Sequence, residues 1–124
     1  MSNNEIRSYR DLKVWQKGMD IAELCYLMTK SFPKDEIYGI ISQIRRASVS
    51  VPANIAEGYG RDSKGEYVHF LKIAQGSLKE LETHILLSIR VNLTTSEEAN
   101  QILGECESLG KMLRSLIRSI QASI

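Results

Sequence analysis

The stretch Ser63-Lys-Gly-Glu-Tyr-Val-His-Phe-Leu-Lys-Ile-Ala-Gln-Gly-Ser-Leu-Lys-Glu-Leu-Glu-Thr-His-Ile-Leu-Leu-Ser-Ile-Arg90 decides the fold. Leu71, Ala74, Leu78, Leu81, Ile85 and Ser88 recur alternately three and four residues apart, which puts them on one stripe of an α-helix. Tyr67, Phe70, Ile73, Leu86 and Ile89 widen that face. Ser63 and Glu66 stand three apart just before the apolar run, the form of a capping box that opens a helix. The pattern fades at Val91-Asn92.

Working outward from this helix, the same signature appears three more times. Downstream, Thr95 and Glu98 form a second capping box, followed by Ile102, Cys106, Leu109, Leu113, Leu116 and Ile120. Upstream, Tyr59-Gly60-Arg61-Asp62 reads as a loop, and before it Ile37, Ile41, Ile44, Ser48, Val51 and Ile55 make a helix that ends at Glu57-Gly58. The break Ser31-Phe32-Pro33 predicts the start of that helix, with Asp35 and Glu36 at the positive end of its dipole. Pro52 inside it predicts a kink or break near Ser48 to Val51, with Ser48, Ser50 and Asn54 available to satisfy the freed carbonyl. From about Asp11 to Lys30, Leu12, Trp15, Met19, Ala22 and Tyr26 form one stripe and Val14, Gly18, Ile21, Cys25 and Met28 another. Strand-like alternation is absent. Short connections between long helices force antiparallel neighbours, so the expected fold is all-α: a single up-down-up-down four-helix bundle over residues 1 to 124, with residues 1 to 9 flexible.

Composition agrees with one soluble domain. The chain has 124 residues, 43% hydrophobic and 25% charged, with net charge +1, enough for one core without disulfides or metals. Cys25 and Cys106 are far apart among apolar residues and read as small core hydrophobes. No run of eighteen apolar residues and no basic-then-apolar leader is present, which predicts a cytoplasmic protein without a membrane partner. The first and third helices carry more apolar surface than one bundle core absorbs, with Trp15, Val14, Tyr67, Phe70 and Leu86 left over. Self-association is the expectation; the alternative is a wide face shielded within the monomer.

Catalytic patterns are thin. His69 and His84 lie about 22 Å apart along one helix, too far to share a metal. Glu66-Tyr-Val-His69 has the spacing used by di-iron bundles, but a second copy is missing. Gly58, Gly60 and Gly65 follow no strand and match no phosphate loop. The expectation is a protein that is not an enzyme and holds no metal or cofactor. The charges are uneven: residues 1 to 79 carry +3 and residues 80 to 124 carry −2. The basic sets are Arg7, Arg10, Lys13 and Lys17, on one face if the first helix reaches back that far; Arg45, Arg46, Arg61 and Lys64; and Lys111, Arg114 and Arg118. Repeated around an oligomer, modest patches become a large basic surface.

Four motifs then carry a resemblance: Leu12-Lys-Val-Trp15, Phe32-Pro-Lys-Asp-Glu36, Gln43-Ile-Arg-Arg-Ala-Ser-Val-Ser-Val-Pro-Ala-Asn-Ile-Ala-Glu-Gly-Tyr-Gly-Arg61, and Phe70-Leu-Lys-Ile-Ala-Gln-Gly-Ser-Leu-Lys-Glu-Leu-Glu82. Over nearly its whole length the chain resembles the four-helix bundle family of proteins encoded in intervening sequences of bacterial 23S ribosomal RNA genes. That family includes the accessory variability determinant of diversity-generating retroelements. The resemblance implies a homopentamer around a central channel, nucleic-acid binding through basic surfaces and, in the retroelement members, partnership with a reverse transcriptase and its template RNA. On this sequence it implies nucleic-acid contacts at Arg45, Arg46 and Arg61, with Lys64 and Lys72 nearby, and it directs attention to Trp15, Asn54, Glu57, Tyr67 and Phe70 as oligomer-interface residues. Retroelement accessory proteins are strongly basic and this chain is nearly neutral, so the resemblance favours the intervening-sequence branch. The alternative for Arg45, Arg46, Asn54, Glu57 and Arg61 is a set of interfacial ion pairs and hydrogen bonds. For the whole protein, the alternative is an interaction scaffold, or a reverse-transcriptase accessory protein, without nucleic-acid binding of its own.

Overall fold

The computed structural model describes residues 5 to 124, so residues 1 to 4 of the stretch expected to be flexible lie outside it. Four helices form the body: α1 (Lys13–Thr29), α2 (Ile40–Tyr59), α3 (Lys64–Arg90) and α4 (Ser96–Ala122), with 3-10 turns at Tyr9–Asp11 and Lys34–Glu36. Among the described residues there is no strand. Contacts between neighbours pair low numbers on one helix with high numbers on the next. Arg45 meets Thr29 while Pro52 packs on Gly18; Ser50 meets Ser77 while Gly58 packs on Phe70. Gly110 packs on Leu78 while Lys64 bonds Ser123, and across α1 and α4 Lys17 pairs with Glu105 while Val14 shares a groove with Met112 and Leu116 and Glu23 one with Gln101. Each of these pairs of helices therefore runs in opposite directions.

The stripe that identified α3 is its core face: Leu71, Ala74, Leu78, Leu81, Ile85 and Ser88 are all buried. They meet Ile21 and Cys25 of α1, Ile44, Val51 and Ile55 of α2, and Ile102, Cys106, Leu109 and Leu113 of α4 in one cluster. Val14, expected as surplus, is buried in the same core, because it lies with Gly18, Ile21 and Cys25 on the inner face of α1. Buried hydroxyls bond backward along their own helices, Thr29 Oγ1 to Cys25 O and Ser88 Oγ to His84 O, both at 2.8 Å.

The helix ends add detail. Ser63 Oγ and Thr95 Oγ1 accept from the amides of Glu66 and Glu98, as the boxes predict. The Glu98 carboxylate, however, accepts from Thr94 Oγ1 at 2.9 Å. A reciprocal capping box instead occurs at the start, where Ser8 accepts from the Arg10 amide and Asp11 accepts from the Ser8 amide. This 3-10 turn separates Arg7 and Arg10 from α1, so the first basic set is not one helical face. α3 ends in a Schellman motif. Asn92 sits at φ 64°, its amide bonds Ile89 O at 3.1 Å, and the Leu93 amide bonds Ser88 O at 2.9 Å.

Two expectations for the second helix change. It begins at Ile40, not at Pro33: Lys34–Glu36 is a separate 3-10 turn, and Gly39 takes ψ −117°, outside the helical region. Ile37 therefore lies off the core stripe, half exposed. At Pro52 the helix continues without a break. Asn54 Nδ2 donates to Ser50 O at 2.8 Å, and Ser48 Oγ to Arg45 O at 2.9 Å, so neither serves the Ser48 carbonyl. The proline ring instead lies against Gly18, 3.4 Å from where a Cβ would stand, and lets α1 and α2 approach closely.

Burial pushes the thiols of Cys25 and Cys106 up to about 12 from an ordinary 9.0. A raised folded pKa favours the native state fully below the unfolded value, so this contribution is lost as pH rises from about 9 towards 12. Thiolate is the reactive form. Labelling at pH 8 should therefore be slow for both cysteines in the folded protein and complete within minutes in denaturant; rapid native labelling would contradict their burial.

Candidate nucleic-acid interface

The Glu-Gly-Tyr-Gly-Arg motif builds the corner between α2 and α3. Gly58 is buried under α3: a Cβ there would lie 2.8 Å from Phe70 Cβ and 3.1 Å from Tyr67 O, so only glycine allows the approach. Arg61 folds back over the ring of Phe70, its guanidinium carbon 4.7 Å from the centroid. It is flanked by Glu57 at 3.5 Å and Glu66 at 3.7 Å. Tyr59 and Tyr67 meet edge to face at 6.0 Å. The structure thus brings Glu57, Arg61, Tyr67 and Phe70 together inside one chain. Exposed ion pairs and a cation–π contact are each worth about 0.5–1 kcal/mol. Arg61→Ala should accordingly lower stability by about 1 kcal/mol in denaturant titration.

Arg45 is also held. Its Nε donates to Thr29 Oγ1 at 2.9 Å, and its guanidinium lies over the Tyr26 ring at 4.6 Å. Arg46, one residue on, is exposed, and among the described residues its side chain bonds Gln43 Oε1 alone, at 3.1 Å. The two arginines border an open groove of about 430 Å³ with Tyr26, Ile37, Ser42 and Val49. Lys64 Nζ donates to Ser123 O and Oγ at 3.1 and 3.0 Å, tying the start of α3 to the end of α4. Asn54 bonds Ser50, and Trp15 packs half-buried against the core with Tyr9 edge to face at 5.3 Å. Arg45, beside Thr29 at the far end of α1, therefore stands apart from the Arg61 corner.

Lys72 belongs to a different place, a groove of about 380 Å³ between α3 and α4, lined by Lys72, Gln75, Gly76, Leu78, Lys79, Gly110 and Arg114. Sequence reading missed Lys79 and Arg114 as companions of Lys72. The seven-residue interval from Lys72 to Lys79 was the available signal on α3, but Arg114 comes from another helix. Glu66 and His69 do not converge: Glu66 bonds Ser63, whereas His69 packs on Phe70 at 5.4 Å. Among the described residues no three His, Cys, Asp or Glu side chains gather as metal ligands, and no helix is long and apolar enough to cross a membrane.

Residues 10–115 match the family described as 23S rRNA-intervening sequence protein. The chain belongs to that family. A solved relative supports the assignment: a protein with unknown function from the S23 ribosomal protein family of Bacteroides thetaiotaomicron, 26% identical, covering 84% of this chain and 97% of its own, with TM-score 0.76. No curated protein matches the sequence. The Arg-Arg to Glu-Gly-Tyr-Gly-Arg stretch of this 23S rRNA-intervening sequence protein lies wholly inside the matched region.

Proposed function

We propose that this 23S rRNA-intervening sequence protein is a non-enzymatic homo-oligomer that binds RNA by neutralising backbone phosphates. The observation that carries the reading is the division among its cations. Arg45, Arg61 and Lys64 are held by partners within the chain, whereas Arg46, Lys72, Arg114 and Arg118 have no carboxylate within ion-pair distance among the described residues. Near-neutral net charge therefore coexists with local surfaces of unneutralised positive charge. Phosphate contacts of this kind give affinity without base specificity. Self-association is supported by apolar side chains that one core leaves outside: Met19 and Tyr26 on α1, Val49 on α2, and Ile73, Leu86 and Leu87 on α3, each at least 38% exposed. A pentamer, implied by the resemblance, would repeat each basic surface five times and amplify weak contacts.

Light scattering combined with fluorescence anisotropy on a labelled RNA hairpin tests both parts. The expected result is a mass several times the 14.0 kDa chain and RNA binding at low salt. A monomeric mass or undetectable binding would overturn the proposal. A scaffold without RNA affinity is the second reading. It is favoured by the groove of about 580 Å³ between α1 and α4, whose floor is Leu12, Val14, Met112 and Leu116.

A further inference from the structure

The α3–α4 groove gathers three cations, where the grooves beside Lys13 and Lys111 and beside Arg45 and Arg46 gather two each, also without a carboxylate. The groove between α1 and α4 near Asp20 is lined by Asp20, Glu23 and Glu105. The α3–α4 groove is lined by Lys72, Lys79 and Arg114 and by no carboxylate. Lys72 and Arg114 make no ion pair among the described residues; Lys79 shares Glu82 at 3.2 Å. Two cations thus face this groove uncompensated, and a third is held loosely by an exposed pair.

The floor supplies an independent observation. Gly76 and Gly110 are interior positions of long helices, where glycine costs about 0.5–1 kcal/mol relative to alanine. Gly58 and Gly18 have packing reasons within the chain, but a Cβ on Gly76 would meet nothing within 4 Å, as is also true of Gly104 on α4 outside the groove. No contact inside the chain requires a bare backbone there. What the glycine provides is close access to the helix surface between the cations.

From this juxtaposition we infer that the α3–α4 groove seats an RNA strand, with Lys72, Lys79 and Arg114 on successive phosphates and the strand passing over Gly76. Lys72 and Lys79 are two turns apart, about 10 Å along the helix axis. The inference rests on the RNA-binding reading above and assigns its site away from the Arg45–Arg61 motif.

The test measures anisotropy of a labelled RNA hairpin across a salt series for the full chain and three variants. The first, Lys72→Gln with Arg114→Gln, removes two charges. The second, Gly76→Gln, fills the groove without changing charge, at an exposed position with room for a side chain. The third, Lys34→Gln, is the control: Lys34 is exposed in the 3-10 turn before α2 and does not line the groove. The charge variant should bind about tenfold more weakly, with the slope of log K against log salt flatter by about 2. Gly76→Gln should weaken binding by a similar factor with a melting temperature equal to or above the parent's, and Lys34→Gln should bind like the parent. If the parent itself fails to bind at low salt, the RNA-binding reading falls and this assignment with it. If the parent binds but both groove variants match it, only the assignment is overturned. Charge sensitivity without an effect of Gly76→Gln would likewise overturn occupancy of the groove. Polyglutamate displacing the RNA more effectively than unlabelled RNA of equal charge would give the groove to an acidic protein and overturn it as well.

Discussion

Replacing Gly58 by valine should destabilise the protein by about 3 kcal/mol, while Gly60→Ala two residues on should leave stability within about 0.5 kcal/mol. The contrast follows from what surrounds each position. At Gly58 the first carbon of any side chain already lies 2.8 Å from Phe70 Cβ, and Tyr67 O lies 3.1 Å away on the other side. Neither neighbour is the free end of a flexible chain. Phe70 Cβ and the Tyr67 carbonyl belong to α3 itself, so relief requires α2 and α3 to move apart, and these helices share the buried contacts of Val51, Ile55, Leu71 and Ala74. Separation would also disturb Arg61 over Phe70 and the Tyr59–Tyr67 pair. At Gly60, by contrast, nothing lies closer than 3.7 Å and φ is −79°, which any residue adopts. Chemical denaturation of the two variants measures the difference directly. Equal stability would show that the corner is softer than its geometry indicates.

Leu113→Ala should lower stability by about 2–5 kcal/mol. Leu113 is fully buried on α4 among the core residues of all four helices. Truncation leaves a cavity whose walls are held by four long elements, so collapse around it is limited, and that places the change towards the upper half of the range. The matched control is Leu86→Ala on α3, where the side chain is 51% exposed in the single chain. For an isolated bundle that change should be nearly silent. In an oligomer that covers Leu86 it should weaken association, so its effect should grow as protein concentration falls towards the dissociation range. The pair therefore separates the core inside one chain from a surface that copies bury together.

Much of this was legible in the sequence because helical periodicity reports burial. The six-residue stripe of α3 is buried as the spacing predicts; on α4 Ile102, Cys106, Leu109 and Leu113 are buried, but Ile117 takes the core position near the end of the helix and the expected Leu116 and Ile120 are only partly buried. Periodicity does not report where a helix begins, which is why Ile37 was placed on a core stripe although Gly39 interrupts the helical backbone after it. Nor does it distinguish a wide core face from a surplus, as Val14 illustrates. The basic residues were harder. The motif singled out Arg45, Arg46 and Arg61 as a group, but whether an arginine is available depends on side chains from other helices: Thr29 and Tyr26 hold Arg45, and Phe70 and Glu66 hold Arg61. Lys72 was identified, while Arg114 joins it only through the antiparallel pairing of α3 with α4.

Near-neutral net charge makes salt dependence the most direct test of RNA binding through phosphate neutralisation. Affinity for a labelled RNA hairpin should be measured from about 50 to 200 mM salt, with a second hairpin of unrelated sequence alongside. Binding through six or more phosphates across an oligomer gives a steep linear fall, about a thousandfold over that range, with nearly the same slope for both sequences. Binding that is absent at 50 mM, or that holds constant across the series, would contradict it.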